Sequence, residues 1–344
     1  MGMRKRSIGC YAGKCHRALD RAKMQGICPE LRYPEEYVKA IEILKDFFFL
    51  ERGYLNANHF AYRSREPILI DTAYIGDFSH TADRLSAVGI EMDRIGLIIT
   101  THCHCDHVGG NRILQEQSGC DIALHPLGKH YMDTRDDWST WWRFYHQEAD
   151  FFKATRTLED GEIVPIGPHE FEIIHTPGHS ADGIALFNKK EKMLLSSDAL
   201  WEKDMAVMTL RVEGRGALPA VLSSLERIAS LGAQRVYPGH GPPFTRVNEA
   251  ISRSTERVRR FLKNEADIGN DLLKKITVYT LLMQRGAPED TFYPRLMQTA
   301  WFKDTVDFYF SGQYRIKYDE IIKGLLEKKV LLRKAGNLYA TVKP

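Results

Sequence analysis

At 344 residues, with 43% apolar and 27% charged side chains, the chain has the composition of a folded globular protein with room for a core domain and a smaller second one. No apolar run approaches the ~18 residues of a membrane-spanning helix, since Phe47-Phe48-Phe49-Leu50 is short and flanked by charges; a helical membrane protein is excluded. Six cysteines in such a length exclude a disulfide-built scaffold and fit a reducing compartment, the cytoplasm.

The net charge of +3 is unevenly spread, because residues 251 onward carry 18 Lys+Arg against 11 Asp+Glu, an excess of +7 that leaves −4 for the rest. A second concentration lies in residues 1–30, an N-terminal extension of uncertain role. Within its first 24 residues Arg4, Lys5, Arg6, Lys14, Arg17, Arg21 and Lys23 face Asp20 alone, and the apolar core of a secretory signal is missing. A transit segment and an upstream start, with Met24 opening the working protein, both remain open. Cys10, Cys15 and Cys28 match none of the common zinc or iron–sulfur spacings and read as incidental.

Residues 31–250 read as the catalytic domain. Stretches 41–50 and 54–63 form a strand meander, 67–72 is a buried strand ending in a polar turn at Asp71, and 79–88 is an outer helix. The mainly apolar run 95–100 then enters Thr101-His102-Cys103-His104-Cys105-Asp106-His107-Val108-Gly109-Gly110. Three imidazoles and a carboxylate thus fall within six residues at a strand end. Alternation along an extended segment puts His102 and His104 on one side, toward one ion. The following turn lets Asp106 and His107 face a second ion. Histidine and aspartate suit zinc, iron or manganese. Gly109 and Gly110 are expected to permit a tight entry into a helix beginning near Asn111. A chance histidine cluster on a solvated loop is the weaker reading, because strand, spacing and glycine turn agree.

The His-x-His-x-Asp-His pattern with its Gly-Gly resembles the metallo-β-lactamase superfamily, in particular its glyoxalase II-like hydrolases. That family needs three further ligands, each at a strand end. His179 in His175-Thr176-Pro177-Gly178-His179 follows 171–174, Asp198 follows 193–197, and His240 in Tyr237-Pro238-Gly239-His240-Gly241 follows 235–236. The resemblance covers roughly residues 40 to 250. It implies an α/β architecture, an αβ/βα sandwich of two central sheets flanked by helices. It also implies two divalent metal ions, zinc by default with iron or manganese compatible. His102, His104 and His179 would bind one ion, and Asp106, His107 and His240 the other, with Asp198 between them and a bridging hydroxide as nucleophile. Asp106 and Asp198 would be the catalytic carboxylates, and Asp71 a support beneath the site. True β-lactamases of the fold commonly have cysteine where Asp198 stands, which argues against lactam resistance. Cys103 and Cys105 occupy positions the pattern leaves free and read as small fillers rather than ligands or redox sensors.

Past His125, which ends a strand near the motif, residues 127–157 are rich in aromatics: Trp138, Trp141, Trp142, Phe144, Tyr145 and Phe151 among them. One or two inserted helices here would wall the site and grip an apolar or planar group, or else pack into a local core or dimer contact. Residues 199–216 are loop-like, and Arg211 and Arg215 are candidates for anion contacts. Helices are expected over 217–231 and 247–266. Residues 251–344 then comprise a linker helix and a C-terminal unit of three helices and a hairpin that resembles a winged-helix domain. Such a unit reads nucleic acid or serves packing and dimerisation, and the second is favoured here.

Together these residues point to a dinuclear metal-dependent hydrolase of an ester or thioester, of acyl-glutathione, acyl-CoA or lactone type. The alternative is a metal-dependent endoribonuclease or phosphodiesterase. A nucleic-acid-binding module on a degenerate hydrolase fold is a third reading, against which the complete ligand set speaks. The expected partner is a small-molecule substrate, with RNA ranked below it, no membrane, and a homodimer as the oligomer to look for.

Overall fold

The strands alternate between two apolar environments, and this alternation builds two stacked sheets. The computed structural model describes residues 40–344, so the expectations for residues 1–30 lie outside the described residues. The first sheet runs in chain order: β1 (Ala40–Leu44), β2 (Phe47–Leu50), β3 (His59–Tyr62), β4 (Ile68–Ile70), β5 (Leu97–Ile99), β6 (Asp121–Leu124) and β7 (Arg156–Thr157). It is antiparallel from β1 to β4 and parallel from β4 to β7. The second sheet has the order β12-β11-β10-β9-β8, from β8 (Ile163–Ile166), β9 (His169–His175), β10 (Ile184–Asn188), β11 (Met193–Ser197) and β12 (Arg235–Pro238). Only its β11–β12 pair is parallel.

On β5, Leu97 and Ile99 face the space between the sheets, while Ile98 faces outward. On β10, Ile184 and Leu186 face inward, and Ala185 and Phe187 outward. This period of two gives a central layer of Phe47, Phe49, Phe60, Ile70, Phe171, Ile173 and Leu195. Both outer faces are then covered by helices. α1 (Phe78–Ala87), α2 (Cys105–Val108) and α3 (Asn111–Ser118) lie on the first sheet, where Leu85, Val108 and Leu114 join Leu69, Ile98 and Ile122. α4 (Pro126–Thr134) and the short α5 (Trp142–Tyr145) form the aromatic insertion, and α6 (Leu210–Glu213) follows the second sheet's β11. α7 (Ala217–Ser230) and α8 (Val247–Lys263) cover that sheet through Leu225, Ile228, Val258 and Phe261. The result is the expected sandwich of helices on two central sheets.

From residue 266 onward the chain holds four helices where three were expected: α9 (Ala266–Met283), α10 (Glu289–Leu296), α11 (Ala300–Phe310) and α12 (Tyr314–Glu327). Arg285 and Gly286, both at positive φ, break the chain after α9, and a two-residue strand, β13 (Ala287–Pro288), precedes α10. The hairpin of β14 (Leu331–Lys334) and β15 (Asn337–Ala340) is present, with β13 added to give the order β13-β15-β14. The described residues pack as one unit. Tyr279 of α9 belongs to the core beneath the first sheet, and Trp141, Phe144 and Tyr145 share a core with Leu272, Ile276, Trp301 and Phe302. Among the described residues no helix is long and apolar enough to cross a membrane.

Candidate metal centre and cleft

Each ligand candidate stands just past a strand, because a strand end is where the backbone leaves the ladder and can be re-aimed. After β5 the chain passes His102 and His104 and winds into α2, which carries Asp106 and His107. Gly109 and Gly110 work differently from the expectation: their φ values of −59° and −90° are ordinary for any residue. They are needed for space, since a Cβ on Gly109 would lie 2.1 Å from the backbone nitrogen of Ile75 and one on Gly110 2.9 Å from Thr72 Cβ. The motif helix is thereby pressed onto the turn after β4. His179 follows β9. A register shift at the end of β11, with Ser197 at φ 45°, turns Asp198 out of the sheet, and His240 follows β12.

The structure brings all seven residues together. Single ligand atoms of His102, His104 and His179 lie within 4.8 Å of one another, as do those of His102, His107 and Asp198, and those of Asp106, His107 and His240. Asp198 is central: its Oδ2 is 3.4 Å from His179 Nε2, 3.6 Å from His107 Nε2 and 3.9 Å from His240 Nε2. Asp106 Oδ2 is 3.2 Å from His240 Nε2. Most of these separations are long for hydrogen bonds. They match two atoms that share an ion, since ligands ~2.1 Å from zinc at a tetrahedral angle lie about 3.4 Å apart.

The donor chemistry fits as well. Nδ1 of His107 is 2.8 Å from Asp71 Oδ2, Nδ1 of His179 is 2.8 Å from the Val207 carbonyl, and Nδ1 of His240 is 2.9 Å from the Gly53 carbonyl. Carbonyls and carboxylates only accept, so Nδ1 carries the proton and Nε2 presents a bare lone pair. Nε2 of His102, His104, His107 and His179 is buried without a hydrogen-bond partner, an arrangement that costs free energy unless an ion satisfies it. Burial, with His107 and His104 adding, holds His102 well below the ordinary histidine range, so it is neutral. Burial opposes the charge of Asp198, but His240 and His107 outweigh it and hold the carboxyl well below the usual range. Burial holds His104 and His179 down as well. At His107 and His240 burial is outweighed by the neighbouring carboxylates, Asp71 and Asp198 for the first and Asp198 and Asp106 for the second, which hold both imidazoles up. A cation entering beside the ionised Asp198 therefore takes the place of protons there.

Two supporting residues escape a reading of sequence. Trp201 donates from Nε1 to Asp198 Oδ1 at 3.2 Å, which leaves Oδ2 for the histidines. Gly239 is the other, because a Cβ there would stand 2.1 Å from Asp198 Oδ1. Gly239→Ala should therefore displace the carboxylate and lower turnover by about a hundredfold, the usual cost of moving a reacting group ~1 Å. Activity and bound metal, measured together, check this; wild-type values for both would show that the site absorbs the methyl. Asp71 is a support in the way expected, accepting also from Thr101 N at 2.8 Å and Thr101 Oγ1 at 2.7 Å.

The site opens into a narrow cleft of about 80 Å³ walled by Tyr54, Trp141, Trp201, Val207, Ile276 and Tyr279. The aromatic insertion divides between its two readings. Trp141 is a wall, its ring 3.8 Å from that of His104, while Phe144 and Tyr145 are core and Trp142 Nε1 donates to the Cys103 carbonyl at 2.9 Å. Arg211 and Arg215 do not face the cleft; they are exposed and pair with Asp304 and Glu265. His125 stacks on His175 with centroids 4.1 Å apart, and joins none of the three ligand groups. Cys103 and Cys105 are buried, and burial pushes both thiols well up, so neither is a reactive thiolate.

Comparison with known proteins gives a family. The model of the metallo-beta-lactamase superfamily matches residues 59–240, more than half of the chain and a span that holds all seven residues. A beta-lactamase-like protein 2 homolog of Caenorhabditis elegans is 28% identical over 59% of this chain and 60% of its own length. An acyl-coenzyme A thioesterase of Gallus gallus is 26% identical over 46% and 64%, and a hydroxyacylglutathione hydrolase of Rhizobium etli 30% over 50% and 58%. The chain thus spans about three fifths of the length of these curated relatives. In fold it is similar to a metallo-beta-lactamase family protein of Thermus thermophilus, at a TM-score of 0.57 and 19% identity over 87% of this chain and 99% of that one. The chain belongs to the metallo-β-lactamase superfamily.

Proposed function

We propose that the seven residues hold two divalent ions with Asp198 between them, and that the chain hydrolyses an ester or thioester whose acyl group lies in the aromatic cleft. The observation that carries this reading is the placing of Asp198 Oδ2 within 4 Å of three imidazole Nε2 atoms that belong to both ligand groups. Relatives named as an acyl-coenzyme A thioesterase, a hydroxyacylglutathione hydrolase and an atrochrysone carboxyl ACP thioesterase support the substrate class. Zinc is the default metal, and iron or manganese suits the same imidazoles and carboxylates.

Bound here, such ions supply Lewis acidity toward the carbonyl oxygen and make water acidic enough to attack near neutral pH. The chain's own groups do the rest. The Asp106 carboxylate, which lines the cleft, accepts a hydrogen bond from the attacking water and orients it. Trp201 keeps Asp198 from turning, and Asp71 and the Val207 and Gly53 carbonyls fix the imidazoles. Trp141, Trp201 and Ile276 exclude bulk water and offer apolar area to an acyl chain.

We also infer that the C-terminal unit, with its three-stranded sheet and preceding helices, is a winged-helix-like packing module rather than an RNA reader. Its basic residues alternate with acids at short range: Arg315 pairs with Asp319, Lys317 with Glu320 and Arg333 with Glu289. An RNA surface would instead gather unpaired cations on one face. Metal-loaded protein should contain close to two ions per chain by elemental analysis and cleave acyl thioesters or lactones in preference to phosphodiesters. A reproducible single ion in metal-replete protein contradicts the dinuclear reading, and cleavage of phosphodiesters alone contradicts the substrate class.

A further inference from the structure

Glu213, the last residue of α6, takes no part in holding a metal, yet both its oxygens are committed. Oε1 accepts from Trp141 Nε1 at 2.7 Å, and Oε2 accepts from Ala181 N at 3.1 Å. One carboxyl thereby joins the aromatic insertion to the loop that carries His179. Trp141 itself is held in an unfavourable state: its φ of 69° lies in the left-handed region, which a bulky side chain adopts only when its surroundings enforce it. Its indole is 4% exposed and packs against His104 and also against His179, with centroids 5.0 Å apart. The same ring is a wall of the cleft. Among the described residues only Glu213 accepts from the Nε1 edge, so the pose of that wall depends on Glu213.

Two N–H donors converge on this side chain, and each needs an acceptor. A carboxyl can offer two, whereas a glutamine offers one oxygen and must turn an NH₂ toward the other donor. Burial pushes Glu213 up to about 8, with Trp141's hydrogen bond offsetting this and Asp182 adding to it. A position that tolerates this penalty, with two directed acceptors, is suited to holding geometry rather than to solvation.

We propose that Glu213 is a specificity-determining positioning residue, which fixes the Trp141 indole as the cleft wall and so selects a planar or apolar acyl group. This rests on the ester or thioester reading and extends it to the acyl half of the substrate. The test compares metal-loaded wild type with Glu213→Gln and Glu213→Ala, using p-nitrophenyl acetate and p-nitrophenyl benzoate as probes. kcat/KM for the benzoyl ester should fall about tenfold in both variants, carried by KM, and the acetyl ester should lose clearly less. A second reading needs no turnover. The five indole N–H resonances of ¹⁵N-labelled protein are assigned by the one that Trp141→Phe removes. That resonance should move and exchange faster with solvent in both Glu213 variants.

An unmoved Trp141 resonance overturns the proposal. So does an equal loss on both esters, or loss of bound metal, which would make Glu213 a support of the centre itself. A wild type that cleaves neither ester sinks the ester reading, and the clamp is then decided by calorimetric binding of benzoate against acetate. Benzoate preferred by the wild type, with the preference lost in Glu213→Gln, sustains it; no preference in the wild type overturns it.

Discussion

Asp198→Asn should lower kcat by about a thousandfold or more while leaving the fold intact. The amide keeps the shape of the side chain, and its oxygen can still accept from Trp201 Nε1. What changes is the other atom. An NH₂ in place of Oδ2 would direct its hydrogens at the Nε2 lone pairs of His179 and His107, now 3.4 and 3.6 Å away, and cap the nitrogens that should receive an ion. Loss of the negative charge also leaves a cluster of imidazoles with less to balance bound cations. Turnover, metal content and the circular dichroism of the variant separate the two effects. Wild-type turnover with two ions still bound would remove Asp198 from the mechanism.

Lys275→Met should cost about 2 to 3 kcal/mol of stability and reduce turnover as a consequence. Lys275 is a buried cation on α9 that reaches the Met205 carbonyl at 2.6 Å, Asp204 Oδ1 at 3.1 Å and Asp271 Oδ2 at 3.1 Å. Arg257 pairs with the same two carboxylates, so the four groups form one network between α8, α9 and the 199–209 segment. Removing one cation leaves two acids to share Arg257. The figure stays modest because the Asp204 side chain is 43% exposed and water screens it. The same segment carries Trp201, which holds Asp198, and Val207, whose carbonyl holds His179. Loosening it should therefore lower activity by about tenfold, the order typical of lost support behind a metal ligand. The urea midpoint and steady-state kinetics measure the two effects, and an unchanged midpoint would show that Lys275 is dispensable.

The seven candidate residues are legible in sequence because each is marked locally. An apolar strand run ends and a histidine or aspartate follows, with Gly or Pro-Gly setting the turn everywhere but at Asp198. The sheets are legible for a similar reason, since a short unbroken apolar run such as Leu97-Ile98-Ile99 marks a strand covered on both faces. What escapes notice is joined across long stretches of chain. Lys275 meets Asp204 from 71 residues away, and Glu213 meets Trp141 from 72. Neither side chain differs in its sequence surroundings from an exposed helix charge. The role of Gly109 and Gly110 is visible only when the turn after β4 is seen lying against them, because composition reports a glycine and not what passes beside it. Arg211 and Arg215 mislead for the opposite reason: they follow Asp198 closely in sequence, but their acidic partners stand on α11 and just ahead of α9.

The contact between Cys105 and Tyr279 has a practical consequence. Cys105 Sγ lies 3.5 Å from Tyr279 OH, which also donates to the Leu55 carbonyl at 3.1 Å, so this thiol is sealed beneath α9. Cys103 and Cys120 are buried elsewhere in the same core. A thiol-modifying reagent can therefore reach Cys105 only in the fraction of molecules in which α9 has lifted from the motif helix, and its labelling rate reports that opening. Comparison with Cys103 and Cys120, peptide by peptide, would tell whether α9 departs by itself or only when the whole sandwich comes apart. A natural side chain thus serves as a clock for the joint on which the centre depends.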